Sequence, residues 1–230
     1  GLCDGERFRE QPAVIERPGG HAGDFGYSGY LLDASTVLTC WHGWEQFAAR
    51  AQLALFGYAL RGGADPLELP VSQLRAVVPQ PASAPPAAAV AARPRGDWVL
   101  LRLEHPVTHL GAIEPPRLAL PRTGGAVYTL GHPGGLPLKL ASQGTVLEVA
   151  DGLFRTDLHT FSGNSGSPVF DAASHALLGI VVAGPQGEPD FVPQPARGCY
   201  ATRAATRHAG GQLSVAADAF AAAARIAVTR

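Results

Sequence analysis

Hydrophobic and polar residues along this chain alternate mostly with a period of two, in short runs separated by glycine and proline. The runs are rich in β-branched residues, which is typical of β-strands. Many short strands without long helices between them predict an all-β sandwich or barrel. The predicted strands are Phe25–Leu32, Thr36–Cys40, Gln52–Tyr58, Val71–Val78, Trp98–Leu103, Ala126–Gly131, Gly144–Val149, Leu153–Asp157, Ser167–Phe170, Leu177–Val182 and Cys199–Thr202.

Two segments have a helical pattern instead. Trp44–Arg50 is predicted to form a short helix, and the alanine-rich segment Ser214–Thr229 is predicted to form an amphipathic C-terminal α-helix. The apolar side chains of that second segment would pack on the body of the protein.

Two proline-rich segments organise the chain. Pro79–Gly96 has little periodicity and is predicted to be an exposed loop. His105–Pro121 is the natural linker between two barrels, so we divide the chain into domains over residues 1–112 and 113–230. Its length of 230 residues is enough for one large or two small domains.

Composition narrows the range of partners. The hydrophobic fraction is 46% and the charged fraction 16%, which is typical of a globular protein. The formal net charge is −1, and this value gives no electrostatic argument for binding to nucleic acid or to an anionic membrane. The apolar runs are shorter than the roughly 18 residues that span a bilayer. Lys139 is the only lysine, a bias typical of bacterial genes rich in G and C. The sequence contains no Met, and its first residues do not have the pattern of a signal peptide. We therefore expect this chain to be a processed form or a piece of a longer protein.

Three cysteines, Cys3, Cys40 and Cys199, have no metal-like spacing. This odd count allows one bridge but not a disulfide framework. Thiols without a framework fit a reducing bacterial cytoplasm, with a secreted or periplasmic location as the alternative.

The segment from Ser162 to Val169, Ser-Gly-Asn-Ser-Gly-Ser-Pro-Val, carries the strongest chemical signal. A nucleophilic serine needs small neighbours, so that a carbonyl can approach its Oγ and backbone N–H groups can face the developing oxyanion. Gly163 and Gly166 supply that room around Ser165, and the predicted oxyanion donors are the N–H groups of Gly163 and Ser165. The alternative is an ordinary glycine-serine loop before a strand.

Two further residues could complete a catalytic set. His42 stands at the end of a strand-turn-strand pattern, where its ring could face a cleft, although a structural histidine fits that place too. Asp97 opens an apolar strand, where its carboxylate could accept the N–H of a histidine ring, or could simply belong to a turn.

Taken together and in this order, these motifs resemble the trypsin/chymotrypsin superfamily of serine proteases across nearly the whole chain. The resemblance implies two six-stranded antiparallel β-barrels and a C-terminal α-helix. His42 and Asp97 would come from the first barrel and Ser165 from the second, with the active site in the cleft between them. The branch it is most similar to is bacterial, glutamyl-endopeptidase-like or HtrA-like.

Several positions depart from the animal members of that superfamily. Asn164 replaces the aspartate that receives a new N-terminal ammonium in those enzymes, and Gly43 and Phe161 replace two of their cysteines. Familiar disulfides are therefore expected to be absent.

The function that follows is a serine endopeptidase acting on polypeptide substrates through a Ser-His-Asp triad and an acyl-enzyme, with no metal or organic cofactor. One alternative is a catalytically inactive protease fold kept for binding. Another is a protease module regulated by a partner or by another domain of a larger protein.

The resemblance also implies a specificity pocket. His159 would lie at its base and Thr160 beside it, with one wall from the strand that carries Val182 and Gly184 and the other from Gly198. Glycine at both walls would leave the mouth open. Because His159 cannot pair with a cation, we expect a large uncharged or acidic residue before the scissile bond.

Two expectations concern the surroundings of the pocket. Glu188 and Asp190 could turn into it and restore a preference for arginine or lysine. The Pro79–Gly96 loop is expected to be mobile and to shape the subsites upstream of the cut, unless it is a passive insertion.

Overall fold

The structure is a computed structural model, and it describes residues 26–47, 53–57, 59, 74–79, 94–108, 113–135, 137–184, 190–202, 211–226 and 228–229. Several predictions lie outside these residues. They concern most of the Pro79–Gly96 loop, the domain boundary at residue 112, and the side chains of Cys3 and Glu188. The division into domains stays a prediction.

Fifteen strands and two short α-helices make up the described chain. The helices are α1 (Trp41–Phe47) and α2 (Ala221–Ala224). The strands are β1 (Gly29–Asp33), β2 (Thr36–Thr39), β3 (Leu53–Leu55), β4 (Leu74–Pro79), β5 (Val99–Leu103), β6 (Leu118–Ala119), β7 (Ala126–Gly131), β8 (Lys139–Ala150), β9 (Leu153–Thr156), β10 (Pro168–Asp171), β11 (Leu177–Ala183), β12 (Phe191–Gln194), β13 (Cys199–Thr202), β14 (Gln212–Ala216) and β15 (Val228–Thr229).

The first half forms a five-stranded antiparallel sheet in the order β1-β2-β5-β4-β3. All four residues of β2 are buried, and Val99, Leu101 and Leu103 of β5 are buried beside them. The turn between β1 and β2 is stabilised locally, because Asp33 Oδ1 accepts the N–H of Ser35 at 2.7 Å.

The second half contains a closed barrel. Its six strands follow the order β10-β7-β8-β9-β14-β11, and β11 pairs again with β10, so the ring has no free edge. The short strands β6 and β15 extend the sheet beyond β11 by parallel pairing. An all-β architecture with one closed six-stranded barrel is confirmed. The first half has five described strands, so a second six-stranded barrel stays a prediction, and β12 and β13 form a separate two-stranded sheet.

One hydrophobic cluster joins the two halves. Leu38 and Leu100 of the first sheet pack in the same cluster as Ile180, Val215 and Phe220 of the second half. Each of these side chains is at most 1% exposed. The two halves therefore share apolar contacts and pack directly against each other along this cluster.

The predicted C-terminal helix over Ser214–Thr229 is wrong in its extent. Residues through Ala216 form strand β14, a 3₁₀ turn follows over Ala217–Ala219, and the α-helix is limited to Ala221–Ala224. Alanine favours helix locally, but the barrel needs β14 to fill the place between β9 and β11, and this tertiary pairing prevails.

The first helix begins earlier than predicted, at Trp41, and so includes His42. Within the described chain, no helix is long and apolar enough to cross a membrane. Nor do the described side chains include a group of three or more His, Cys, Asp or Glu that could hold a metal ion.

Candidate active site

His42 is held on both its backbone and its ring by Asp97. Helix α1 begins directly after β2 and carries His42 in its first turn. The backbone N–H of His42 donates to Asp97 Oδ1 at 2.9 Å, and ring atom Nδ1 lies 2.7 Å from Asp97 Oδ2. Two contacts to one carboxylate fix both the position and the rotation of the imidazole.

The pairing of β2 with β5 places Asp97 close to His42. Thr39 at the end of β2 lies opposite Val99 at the start of β5, so the residues that flank these ends come close together. A 3₁₀ turn over Pro94–Gly96 precedes Asp97, and the Asp97 residue is only 8% exposed. Its carboxylate is therefore kept largely out of water.

Ser165 completes a hydrogen-bonded row. Its Oγ lies 3.0 Å from His42 Nε2, the ring nitrogen that faces away from Asp97. Ser165 stands in a tight loop, because Asn164 N–H donates to Phe161 O at 2.9 Å and Ser167 N–H donates to Asn164 O at 2.8 Å. The structure thus brings together the three side chains that the sequence singled out.

Two glycines in this loop have backbone conformations that side chains rarely adopt. Gly163 has φ +94° and Gly166 has φ +83°. A Cβ at Gly163 would lie 2.7 Å from the carbonyl oxygen of His132, and one at Gly166 would overlap Ser28 O and Thr39 Oγ1. Both positions therefore require glycine for conformation and for space.

The peptide between Ser162 and Gly163 has a defined orientation. Ser162 O accepts the N–H of Gly134 at 2.6 Å, so this carbonyl faces the loop over residues 132–135. In a trans peptide the Gly163 N–H then faces the opposite way. Within the described residues, the N–H groups of Gly163 and Ser165 donate to no backbone acceptor, which leaves both available to a ligand.

Ser28 ties this loop to the first sheet, and sequence reasoning missed it. Its N–H donates to Ser165 O at 2.8 Å, and its Oγ donates to Gly163 O at 2.7 Å. The same Oγ accepts the N–H of His132 at 3.0 Å, and Thr39 Oγ1 donates to Ser28 O at 2.6 Å. A buried serine before a strand gives no sequence signal for such a role.

The surroundings of the His42 ring raise its pKa above the ordinary value for histidine. The hydrogen bond that the His42 ring donates to Asp97 is the main cause that raises the pKa of His42, and the nearby Cys40 side chain raises it further, against the opposing effect of burial. Cys40 is a free thiol and is fully buried, whereas Cys199 is disulfide-bonded.

The predicted pocket residues differ in exposure. His159 is partly exposed, whereas Thr160 is 4% exposed, and its hydroxyl has no hydrogen-bond partner among the described residues. Val182 is buried in the shared hydrophobic cluster. Among the described residues, a Cβ added at Gly184 or Gly198 would meet no atom within 4 Å, so neither glycine is closely packed by that part of the chain.

Gly198 lies in an exposed turn between β12 and β13, outside the eight-stranded sheet. Strand β14, which lies between β9 and β11 in the barrel, begins directly after Gly211. Gly211 is buried, with φ +57°, and a Cβ there would lie 2.6 Å from Thr156 O. The role predicted for Gly198 stays a prediction. Gly211, which the sequence did not single out, lies against Thr156 at the end of β9.

Asp190 lies next to the loop that carries Ser165. Its Oδ2 accepts the backbone N–H of Ser162 at 2.6 Å. This contact joins the start of the β12–β13 hairpin to the residue that precedes Gly163.

Comparisons with known proteins agree with this architecture. The sequence model of a family described as the trypsin-like peptidase domain matches residues 27–180. Kallikrein-related peptidase 10, solved in complex with Zn²⁺, is similar with a TM-score of 0.53 and 18% identity over 86% of each chain. A Glu endopeptidase, solved in complex with MPD, is similar with a TM-score of 0.51 and 16% identity over 86% of this chain and 84% of that one. No curated protein matches in sequence.

Proposed function

Because the chain belongs to the trypsin-like peptidase family, we propose that it is a serine endopeptidase in which Ser165, His42 and Asp97 form the catalytic triad. The observation that carries this proposal is the continuous row from Asp97 Oδ2 through the His42 ring to Ser165 Oγ, with contacts of 2.7 and 3.0 Å. These distances lie within the reach that proton transfer between side chains requires.

Each residue has a role that follows from its contacts. Asp97 accepts the Nδ1 proton of His42, so Nε2 carries a lone pair towards Ser165. Ser165 Oγ attacks the scissile carbonyl carbon while His42 takes its proton, and His42 then gives that proton to the leaving amine. Water hydrolyses the acyl-enzyme by the same route, again with His42 as the base.

The oxyanion of each tetrahedral intermediate would accept the N–H groups of Gly163 and Ser165. Preorganised donors at this place stabilise charge that develops only in the transition state. The orientation of the Ser162–Gly163 peptide supports the role, since its carbonyl is already bonded to Gly134 and cannot also occupy the hole. His42, whose side chain is 40% exposed, is accessible to a polypeptide substrate.

Covalent labelling tests this function directly. A fluorophosphonate probe should modify Ser165 of the parent protein, identified by mass spectrometry, and should not modify Ser165→Ala or His42→Ala. Turnover of casein or of a peptide library should fall by a factor of about 10⁴ or more in Ser165→Ala. An unlabelled parent without turnover would favour an inactive binding fold, and a labelled parent without turnover would favour a module that needs a partner.

A further inference from the structure

Three long-range hydrogen bonds hold the backbone around Ser162 and Gly163. Asp190 Oδ2 accepts the N–H of Ser162, Gly134 N–H donates to the carbonyl of Ser162, and Ser28 Oγ donates to the carbonyl of Gly163. We call Ser162 and Gly163 the oxyanion segment. Its three partners come from three separate parts of the chain, so the conformation of the oxyanion segment depends on contacts with residues far away in sequence.

Among these three partners, Asp190 is the one with an ionisable side chain. Hydrogen bonds to an ionised carboxylate are shorter and roughly twice as strong as bonds between neutral groups. The separation between Ser162 N and Asp190 Oδ2 is 2.6 Å, as short as the 2.6 Å from Gly134 N to Ser162 O. The one partner of the oxyanion segment that can carry a charge is therefore a side chain 28 residues away in sequence.

The bond at Ser162 N–H restrains the next peptide plane. Rotation of the Ser162–Gly163 peptide would turn the Ser162 carbonyl away from Gly134 and the Gly163 N–H out of the hole. Such a rotation changes the dihedral angles at Ser162, and these are limited when its N–H and its C=O are both bonded to fixed partners.

Asp190 directly precedes β12, which belongs to a two-stranded sheet outside the barrel. The other strand of that sheet begins at the disulfide-bonded Cys199. The Asp190–Ser162 bond thus links the position of this hairpin to the oxyanion segment.

We propose that Asp190 is a positioning residue, which holds the Gly163 N–H in the orientation that receives the oxyanion and makes that orientation depend on the β12–β13 hairpin. This inference rests on the proposed protease function. It also assigns the Asp190 carboxylate to the loop backbone, and not to the reading of a basic substrate side chain.

Two substitutions separate hydrogen bonding from charge. Asp190→Ala removes the acceptor, whereas Asp190→Asn keeps an amide oxygen at the same place and loses the charge. We expect Asp190→Ala to lower kcat about 10- to 100-fold, below the full loss of an oxyanion donor, with KM changed less than about twofold. Asp190→Asn should recover most of kcat, and Glu148→Gln, a surface carboxylate elsewhere, should match the parent.

A second measurement keeps the inference separate from catalysis. Amide hydrogen exchange in peptides that cover Ser162 should be faster in Asp190→Ala than in the parent and close to the parent in Asp190→Asn. If the parent is neither labelled by the fluorophosphonate probe nor active, the proposed function fails, yet this exchange still decides whether Asp190 holds the segment. Parent-like kcat and exchange in Asp190→Ala would overturn the inference. So would a loss confined to arginine and lysine substrates in both variants, because Asp190 would then read the substrate.

Discussion

Ser28 Oγ donates to the carbonyl oxygen of Gly163 at 2.7 Å, across the junction between the two halves of the molecule. The same hydroxyl accepts the N–H of His132 at 3.0 Å, so a single oxygen joins three segments. Ser28 is 3% exposed, so water cannot readily take the place of its hydroxyl in these hydrogen bonds.

The first prediction concerns removal of that hydroxyl. Ser28→Ala leaves the carbonyl of Gly163 and the N–H of His132 without their partner. We expect the free energy of unfolding to fall by about 1–3 kcal/mol for such buried unpaired groups, and kcat to fall with it. Denaturant unfolding and steady-state kinetics measure the two effects. Ser174→Ala, which removes a hydroxyl from an exposed turn, is the control and should change kcat little.

The second prediction separates backbone strain from steric overlap. Gly166 has φ +83° and Gly124 has φ +81°, but a Cβ at Gly166 would overlap Ser28 O and Thr39 Oγ1, whereas a Cβ at Gly124 would meet nothing within 4 Å. Gly124→Ala should therefore cost about 1–2 kcal/mol for conformation alone. Gly166→Ala should cost clearly more and also lower kcat. Equal losses of stability in the two variants would contradict the packing described around Ser165.

The third prediction concerns pH. A general base must be neutral, and Asp97 raises the pKa of His42 above its ordinary value of about 6.5. The acid limb of kcat/KM should therefore lie above that pH, with activity falling as pH drops through it. Asp97→Asn should lower the His42 pKa, read from the imidazole proton resonances because turnover falls about 10⁴-fold. His175→Ala, at an exposed site, should leave the profile unchanged, and an acid limb below 6.5 would contradict the prediction.

The fourth prediction concerns the thiols. Cys40 is a fully buried free thiol, and Cys199 is disulfide-bonded. Without reductant, Cys40 should be alkylated slowly in the native protein and quickly in denaturant. Cys199 should be alkylated only after reduction. Peptide mass spectrometry distinguishes the two sites, and rapid alkylation of Cys199 in denaturant alone would contradict the bridge.

The fifth prediction concerns the residue before the scissile bond. Gly184 is not closely packed by the described residues, and Asp190 is bonded to Ser162 N–H, so we expect a large uncharged or acidic residue to be preferred over arginine or lysine. Matched substrates that end in Phe, Leu, Glu and Arg give the ratio of kcat/KM values. A kcat/KM that is highest for the Arg substrate would contradict this prediction.

Period-two patterning predicted most of the strands that carry the site, including β2, β5, β10 and β11. It missed β14, because Gln212 and Ser214 are polar residues at buried positions and the alternation is therefore inverted. They are tolerated there because Gln212 Oε1 accepts from Thr156 Oγ1 at 2.8 Å and its Nε2 donates to Ser214 Oγ at 2.6 Å. A network of buried side chains from separate strands cannot be read from the order of residues.

The triad residues could be selected because each stands in a motif with local spacing. Ser28 and Gly134 could not, because each acts through a contact with a distant backbone group and stands in no such motif. Asp190 was selected only as a possible reader of basic substrates, because its contact with Ser162 N–H spans 28 residues and leaves no local pattern. Strand β6 was missed for another reason: its two residues lie in the proline-rich linker, and it forms by parallel pairing with β11.

The hydrophobic cluster shared by the two halves has a consequence for how activity responds to stress. His42 and Ser165 are supplied from opposite sides of that junction, so a slight separation of the sides would lengthen the 3.0 Å contact while each sheet stays folded. Turnover is therefore expected to respond to a separation of the two halves before the circular dichroism spectrum does. In mild denaturant, kcat should fall while the spectrum is still that of the folded protein.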